Sequence, residues 1–564
     1  KKRTVIVGEF GMPFDENKIN RRKFLSYGAT IFGAALMGVN SASLNGKAFA
    51  DSSPANSAKS QKDMGVDYAN LTEELKLRFW QGEAILHQDC TGQKDIVELE
   101  KLAVLSNMAV YNTVIRYSPG IQIWDNCSFT NCDFICTRFI SGTSPAISVC
   151  GENIFFQSCT FTGVPVSTTQ LMGTESAFNV RYLNCRFDGS FKNPLHLGPS
   201  RNNLVDGCYF EALHGADSNI FQIKLSAGLS LPDVSGTRQS IITNCYFDGD
   251  EGEYHTAIDC YAGGAELLIS NCIFFSNRSI TVKTSWGDKK DYETMVSCYN
   301  DTRYSHDIRI DNCLFVKPDR VIYLANSQKS ITNIGVTVPN NIILSNCLIT
   351  DGIRSAIQSS ESIPTSAPST FVISDCLFHN TAVGWLAAKD VFMDNCSVMI
   401  TEELKDQTEI IKIGNKEGSC QSIRISHLML KDTNSANQAI SVINQIGYVG
   451  CFQLKSCSIE KSVTTPVINA ISFQTAFGRL IADDLESASP LMAFSSDNSP
   501  ELTVLRNSIF SDYALTLRDG VSSYGKGKLA VFNCICEGRS SVLKPPADDT
   551  YEANHVFVSV AFEK

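Results

Sequence analysis

The sequence predicts an all-β solenoid, a single-stranded right-handed parallel β-helix with a small N-terminal helical cap. Two observations support this prediction: a short motif recurs through most of the 564 residues, and the apolar residues around each copy alternate with a period of two. The motif has the form apolar-x-apolar-x-Asn-Cys-x-Phe, as in Asn184-Cys185-Arg186-Phe187. A repeat of short alternating strands is typical of a chain that stacks one structural turn on the next.

Copies of the motif run from about residue 120 to residue 540. Its central position is occupied in turn by Cys127, Cys159, Cys185, Cys208, Cys245, Cys272, Cys313, Cys347, Cys376, Cys396, Cys457, Ser508 and Cys534. The two longest intervals contain degenerate copies at residues 423–428 and 480–485, so the repeat recurs every 20 to 41 residues. Unequal spacing fits loops inserted at one turn of a solenoid, whereas leucine-rich repeats keep a nearly constant length and propeller blades run longer.

The motif also predicts what each residue does. The cysteine and the aromatic residue two positions later share one face of a strand, so both are expected to point inward and to stack from rung to rung. A buried free thiol behaves as a small apolar group, and we interpret most of the 21 cysteines as core filler rather than disulfide partners. The asparagine is expected at a turn between sheets, because asparagine tolerates the left-handed backbone region.

The first fifty residues are interpreted as an export signal. Arg21 and Arg22 are followed by Phe24 and Leu25, then by an Ala- and Gly-rich apolar segment and a small-x-small site that predicts cleavage after Ala50. This order is typical of the twin-arginine pathway, which carries folded proteins. We therefore expect a passing contact with the twin-arginine translocase and delivery to the periplasm or beyond. Gly, Ser and Asn dilute the apolar segment, so no stable membrane span is expected after cleavage.

The rest of the chain divides by pattern. Residues 51–63 are a polar linker, and residues 64–117 are expected to form the N-terminal cap, with helical periodicity at 71–86 and 94–105. Residues 118–542 form the predicted β-helix, and residues 543–564 are a C-terminal tail or a terminal strand. A solenoid needs such end pieces because its last rung would otherwise expose its core.

Composition excludes one class of partner and favours another. The formal net charge is −11 and no basic stripe is visible, which argues against nucleic acid because binding its phosphates needs a basic surface. Charged residues make up only 19% of the chain, and Asn, Ser and Thr are abundant. Such a surface is suited to hydrogen bonding with sugars, so a polysaccharide is the expected partner.

The leader followed by rung after rung of Asn-Cys-x-Phe resembles the exported β-helix proteins of enterobacterial exopolysaccharide clusters, the colanic acid biosynthesis family, within the wider pectin-lyase-like superfamily. The resemblance covers most of the chain in architecture. It implies a long polysaccharide lying along the helix, and it supplies no catalytic residues. Because fold does not imply function, a site has to be argued from the residues themselves.

Long intervals between Cys208 and Cys313 mark the region where a site is expected, because functional residues concentrate on loops that a rigid scaffold holds. One interpretation is a lyase of the kind known in this superfamily. Such enzymes use Lys, Arg or His as the base, and Arg or Ca²⁺ neutralises a uronate carboxylate. Lys224 on a strand, with Arg303 rungs away, is similar to the Lys/Arg pairs of some alginate and chondroitin lyases. The other interpretation is a hydrolase with paired carboxylates taken from Asp248, Asp250, Glu251, Glu253 and Asp259, with His255 nearby.

The same acidic run could bind Ca²⁺, although its spacing is not that of an EF-hand loop, and no other metal site is expected. Tyr254, Lys283 and Trp286 are candidate carbohydrate-binding residues, the aromatic ones because they could stack on sugar rings. A solvated polar loop explains all of these residues equally simply.

Three functions remain open at this point. The first is a periplasmic accessory protein of exopolysaccharide or capsule biosynthesis that binds or trims the polymer. The second is a depolymerase, either a uronate lyase or a glycoside hydrolase of tailspike type. The third is a structural or adhesive solenoid without catalysis.

Overall fold

A computed structural model of the chain describes residues 94–99, 103–118, 120–137, 147–162, 166–168, 177–188, 194–197, 200–212, 221–226, 238–249, 256–261, 265–276, 278–285, 306–326, 341–359, 370–405, 407, 409–414, 420–434, 436–437, 441–461, 471–473, 477–487, 492–494, 500–511, 515–517, 528–536 and 556–560. These residues form a parallel β-helix: every strand pairing among them is parallel, and each strand pairs with strands one turn before and after it. We call one turn a rung and its three sides the first, second and third faces. In the described ranges no helix is long and apolar enough to cross a bilayer.

The first face holds the longest strands. They are Ala109–Tyr111, Ser128–Thr130, Glu152–Gln157, Ala177–Leu183, Ser200–Arg201, Leu204–Asp206, Arg238–Thr243, Ala265–Ser270, His306–Asp311, Asn341–Ser345, Thr370–Ser374, Asp390–Asp394, Cys420–Ser426, Val449–Lys461, Phe477–Ser487, Leu502–Arg506, Lys528–Cys536 and Val556–Val560. Three of them, Val449–Lys461, Phe477–Ser487 and Lys528–Cys536, continue round the corner onto the second face.

The second face consists of shorter strands. They are Asp95–Leu99, Thr113–Tyr117, Asp133–Cys136, Thr160–Thr162, Arg186–Phe187, Tyr209–Phe210, Tyr246–Phe247, Ile273–Phe275, Leu314–Val316, Leu348–Thr350, Leu377–His379, Ser397–Ile400, Met429–Asp432 and Ile509–Phe510.

The third face is a separate sheet of sixteen strands. They are Val104–Leu105, Ile121–Ile123, Ile147–Val149, Val166–Thr168, Leu195–Leu197, Phe221–Ser226, Thr256–Tyr261, Arg278–Ser285, Arg320–Asn326, Ile357–Ser359, Gly384–Leu386, Glu409–Gly414, Ser441–Ile446, Ile471–Phe473, Met492–Phe494 and Leu515–Leu517.

The predicted inward ladders are confirmed. The motif phenylalanines of the second face stack rung over rung, with ring centroids 4.7–5.0 Å apart from Phe134 to Phe315. The motif cysteines are buried beside them, and every cysteine that the structure describes is free. The ladder thiols donate to main-chain carbonyl oxygens, as Cys245 Sγ does to Thr243 O at 3.1 Å. Thiols therefore fill the core without oxidation.

The predicted turn between sheets is confirmed as well. From Cys159 onward, the residue before each motif cysteine lies between the first and second faces with positive φ, for example 52° at Asn184 and 50° at Asn395. Side-chain amides link successive corners, as where Asn395 Nδ2 donates to Asp375 Oδ1 at 2.6 Å. This corner takes one left-handed residue followed by the buried cysteine, so it has the same length in each of these rungs.

Two details of the sequence interpretation are corrected. The first corner with a cysteine is Asn131-Cys132, because Phe134 rather than Phe129 pairs with Phe161; Asn126-Cys127 lies at the entrance to the first face, in a second column of left-handed residues. The helical periodicity of residues 94–105 was misleading, because strands Asp95–Leu99 and Val104–Leu105 pair with the rungs that follow. Apolar residues in these short strands lie three or four positions apart in the chain, which is also the spacing of one face of a helix.

The ends of the solenoid also differ from the expected limits of 118 and 542. Rung strands are present from Asp95, and the last described strand, Val556–Val560, pairs with Lys528–Cys536. The other helical segment of the expected cap, residues 71–86, lies outside the described residues, as does the whole export signal with Arg21, Arg22, Phe24, Leu25 and Ala50.

Candidate functional site

Segments of variable length border the third face. The corner between the first and second faces is uniformly short, so length differences between rungs fall on either side of the third face. Two long intervals follow its strands, from Ser285 to His306 and from Asn326 to Asn341. Because binding residues concentrate where loops of variable length border a rigid scaffold, we look for the site on this face.

Strand register brings one position of every third-face strand into a single line. Side chains alternate along a strand, and Ile223 and Leu225 are buried in the core, so position 224 between them belongs to the outer side. We call this line the outer column. Paired register, continued across Gln358 to Trp385 and Ser472 to Ala493, gives its members as Gln122, Ser148, Ser167, His196, Lys224, Asp259, Thr281, Tyr323, Gln358, Trp385, Lys412, Asn444, Ser472, Ala493 and Thr516.

Three residues that the sequence analysis singled out lie on strands of this face. Lys224 and Asp259 are direct register partners on adjacent strands. Lys283 lies two residues beyond Thr281, which is the next partner of Asp259. The Asp259 side chain is fully buried. Thus a lysine position and a buried carboxyl group adjoin in the outer column, although they are 35 positions apart in the chain.

Asp248 lies elsewhere. Its Oδ2 accepts a hydrogen bond of 2.8 Å from the Tyr209 hydroxyl, and Tyr209 stacks on Tyr246 on the outside of the second face. Its carbonyl oxygen accepts from Gln222 Nε2 at 2.6 Å. The structure therefore does not bring the Asp248 and Asp259 carboxyl groups onto one face, as a hydrolytic pair would require.

The remaining predicted site residues lie outside the described residues. They are Asp250, Glu251, Glu253, Tyr254, His255, Trp286 and Arg303. The lyase partner Arg303, the alternative carboxylates and the acidic Ca²⁺ run thus stay predictions. Among the residues that the structure does describe, no group of three or more His, Cys, Asp or Glu side chains is arranged to hold a metal ion.

Sequence reasoning missed an aromatic and cationic pair farther along the outer column. Lys412 Nζ lies 4.7 Å from the centre of the Trp385 ring and 3.0 Å from Glu409 Oε1. The Trp385 indole donates to Gly414 O at 2.8 Å, which fixes the ring. Gly384, directly before the tryptophan, has a φ of 94°, and a Cβ there would collide with the Ile357 carbonyl oxygen. Only glycine allows this strand to start so close to its neighbour.

A second such pair was also missed. Arg320 Cζ lies 4.7 Å from the centre of the Tyr323 ring, two rungs before Trp385 in the same column. Both rings are partly buried and each is contacted by a cation, which is favourable at the face of an aromatic ring. Many third-face strands have the short pattern apolar-polar-apolar, as in Leu195-His196-Leu197, Ile322-Tyr323-Leu324 and Ile411-Lys412-Ile413. Aligning that pattern would have revealed the column.

The corner that leads to the third face carries further ionic groups. Asp351 has positive φ there, and its carboxylate contacts His379 Nδ1 at 3.7 Å and accepts from Thr350 Oγ1 at 2.8 Å and Asn380 Nδ2 at 3.2 Å. Burial alone would raise the pKa of Asp351, but the interactions with these three side chains outweigh it and hold the pKa below its ordinary value. Asp351 is therefore ionised near neutral pH.

Comparisons with known proteins agree with the fold. A family model described as a right-handed β-helix region matches residues 119–290. The fold of the described chain is thus a right-handed parallel β-helix. A search of curated proteins finds no match.

Three solved structures similar to the chain share 12–13% of its sequence. The Streptococcus pneumoniae surface protein and adhesin PfbA is 13% identical, with 72% of this chain and 96% of that chain covered and a TM-score of 0.31. A tailspike protein double mutant of E. coli bacteriophage HK620, in complex with a pentasaccharide, is 12% identical, with 81% and 74% covered and a TM-score of 0.32. The exopolygalacturonase of Thermotoga maritima is 12% identical, with 77% and 87% covered and a TM-score of 0.29.

Proposed function

We propose that the chain is an exported protein that binds an acidic polysaccharide lengthwise along the outer column of the third face. Its role would be in the biosynthesis or processing of an exopolysaccharide or capsule in the periplasm. The observation on which the proposal rests is the outer column itself, an unbroken line of mostly polar and aromatic positions from Gln122 to Lys412. The export part rests on the twin-arginine pattern of the first fifty residues.

The spacing of the column supports a polymer as ligand. Successive strands of a sheet are about 4.8 Å apart, which is close to the length of one sugar unit in an extended chain. A polysaccharide lying parallel to the helix axis would therefore meet a new outer-column residue with each sugar. A small ligand would use only one or two of these positions.

The chemistry of the column supports an acidic polymer. Lys224 and Lys412 occupy column positions, and Arg320 contacts the column residue Tyr323. Aromatic rings stack on the apolar faces of sugars, while cations neutralise acidic substituents. The chain as a whole is negatively charged, so cations at the binding face are what an anionic polymer would need.

Polymer trimming is a second candidate, and one observation favours it. Position 224 and the buried Asp259 are register partners in the column, so a lysine general base would lie beside a polymer bound there. A lysine that abstracts a proton next to a uronate carboxylate would make the protein a lyase.

The test is affinity electrophoresis of the full chain through gels that contain alginate, hyaluronan or polygalacturonate. We expect the wild type to be retarded by at least one polymer. Trp385→Ala and Lys412→Ala should each weaken binding by about fivefold or more, because an aromatic and cationic anchor contributes on the order of 1 kcal/mol. Polymer size and the ultraviolet absorbance of unsaturated uronates are followed in parallel, since a rise in absorbance that Lys224→Ala removes would establish the lyase.

The first face provides a matched control. Arg424 lies 5.6 Å from the centre of the Phe392 ring on the rung before it, an aromatic and cationic pair of the same kind that faces a different direction. Phe392→Ala and Arg424→Ala should leave retardation unchanged. Equal losses from both pairs, or no retardation by any polymer, would contradict the proposal.

A further inference from the structure

A buried carboxyl group is shared by two arginines at the corner before the third face. Asp319 Oδ2 lies 3.7 Å from Arg320 Nε, and Asp319 Oδ1 lies 3.4 Å from Arg354 Nε on the next rung. The three side chains differ sharply in exposure, at 2% for Asp319, 9% for Arg320 and 56% for Arg354. The carboxylate is therefore fixed inside the protein, while the Arg354 guanidinium extends to the surface.

These contacts connect the surface arginine to the outer column. Arg354 meets Asp319, Asp319 meets Arg320, and the Arg320 guanidinium lies over the ring of Tyr323, which is a column member. The exposed guanidinium thus borders the same stretch of the third face as Tyr323 and Gln358. It is held there by an ionic contact to the buried Asp319.

The orientation of Arg354 leaves its binding edge open. Its close contact with Asp319 is made through Nε, and in the part of the chain that the structure describes no acceptor lies against its two terminal nitrogens. A guanidinium can bind a carboxylate through a pair of parallel hydrogen bonds, which a lysine ammonium cannot reproduce. Because the buried Asp319 holds one edge of the Arg354 guanidinium, the arginine side chain loses less conformational entropy when it binds a ligand.

We infer that Arg354 binds the carboxylate substituent of an acidic sugar in a polymer that lies on the third face, and that Asp319 is the residue that positions it. This inference rests on the proposed polysaccharide-binding function and adds the substituent that the protein selects. The net charge of −11 explains why a fixed cation is needed at the site. A negatively charged protein repels an acidic polymer at long range, so selection must come from a cation fixed at the site.

The test compares each carboxylated polymer, alginate, hyaluronan and polygalacturonate, with its carboxyl-reduced derivative on the full chain. For the polymer that binds most tightly, we expect Arg354→Ala to lower affinity about tenfold, as loss of a charge-assisted pair of hydrogen bonds would. Arg354→Lys should recover little of that loss. Binding of the reduced polymer should be the same for wild type and variants.

Asp319 is tested by selectivity rather than by binding alone. Asp319→Asn should reduce the ratio of affinities for carboxylated and reduced polymer, and Asp319→Glu should restore part of it. A purely structural role for Asp319 would lower both affinities together and leave this ratio unchanged. That result would overturn its assignment as a positioning residue.

Arg506 is the matched control for Arg354. It is 49% exposed and pairs with Asp483 at 2.9 Å, but it lies on the first face. Arg506→Ala should not change affinity; a loss equal to that of Arg354→Ala would mean general electrostatics and overturn the inference.

The remaining outcomes separate this inference from the proposed function. Equal binding of reduced and carboxylated polymer, with loss in Trp385→Ala, would overturn the role of Arg354 and keep the polysaccharide function. Tighter binding of dextran sulfate than of any carboxylated polymer would also overturn it. Binding of no polymer would remove both proposals.

Discussion

At the scale of single residues, the cysteines of the inward ladder act as apolar core atoms. Their thiols are buried and donate to carbonyl oxygens two residues earlier, as Cys272 Sγ does to Ser270 O at 3.2 Å. Ser508 occupies one ladder position and its hydroxyl makes the same bond to Arg506 O at 2.7 Å. The position therefore favours a small side chain with one donor, although Leu428 and Leu485 fill it in the two degenerate copies. Sulfur is favoured because it is less costly to desolvate than a hydroxyl.

Burial predicts which thiols react. Burial raises the pKa of Cys208 and Cys245 well above the usual value, so neither is expected to form a thiolate near neutral pH. Cys451 is partly exposed on the first face. Treatment with iodoacetamide at about pH 8 should label Cys451 and spare Cys208 and Cys245, as peptide mass spectrometry would measure.

A control separates the effect of burial from the intrinsic reactivity of each thiol. Urea should make all three thiols reactive, and a rise to about pH 9 in native protein should leave Cys208 and Cys245 unlabelled because their pKa values are raised. Rapid labelling of Cys245 in the native state would contradict a closed core.

At the scale of elements, the corner between the first and second faces decides how each rung turns. Its first residue has a positive φ in every motif copy, and that conformation costs an ordinary L-residue about 1–2 kcal/mol. Asparagine lowers this cost and adds a side-chain bond to the next corner, as between Asn395 and Asp375. The recurring Asn is thus a turn signal and not part of the core.

Substitution at Asn395 separates the two contributions. Asn395→Gly and Asn395→Ala both remove the amide bond to Asp375, but only alanine is strained at a φ of 50°. We expect the free energy of unfolding to fall by about 1 kcal/mol more for alanine than for glycine, measured by urea denaturation. Equal losses would mean that the corner relaxes without strain.

At the scale of the whole molecule, each rung contacts only its neighbours, so a complete rung should be removable. Asp375 and Asn395 occupy equivalent corners of successive rungs. Deletion of residues 376–395 would join Asp375 to Cys396 and keep the Cys and Phe ladders in register. Deletion of residues 376–385 would instead break the register and place inward residues on the wrong face.

We expect the full-rung deletion to fold and the half-rung deletion to fail. Far-ultraviolet circular dichroism and urea denaturation would measure this, with a native β spectrum and a cooperative transition expected only for the former. If both deletions unfold the chain, the rungs are not independent units of the kind proposed.

Much of the fold could be predicted because its signals are local. The Asn-Cys-x-Phe motif contains a left-handed corner and two inward residues within four positions, so Asn184, Cys185 and Phe187 are placed correctly from sequence alone. The first strands were assigned wrongly because the only signal available there was also local. Residues 94–105 contain no copy of the motif, and the spacing of their apolar residues is that of a helix. In the structure, Asp95–Leu99 is instead a strand that pairs with the next rung.

Little of the candidate site could be predicted. Loop length pointed to a set of five carboxylates that includes Asp248 and Asp259. Of these two, Asp248 bonds Tyr209 of the second face, whereas Asp259 lies on a third-face strand. Arg320, Arg354 and Trp385 were missed because no motif surrounds them, and the partners of Arg354 and Trp385 lie a full rung away.

What the sequence alone determined is the repeating rung: its corner, its inward ladders and its free thiols, all set by alternation and by the backbone preference of asparagine. What only the tertiary structure decided is which residues share the third face. Lys224 and Asp259 are register partners on adjacent strands, and Asp319 contacts Arg354 on the next rung. That register depends on the variable lengths of the segments between faces, and no local pattern in the chain encodes where such a segment ends.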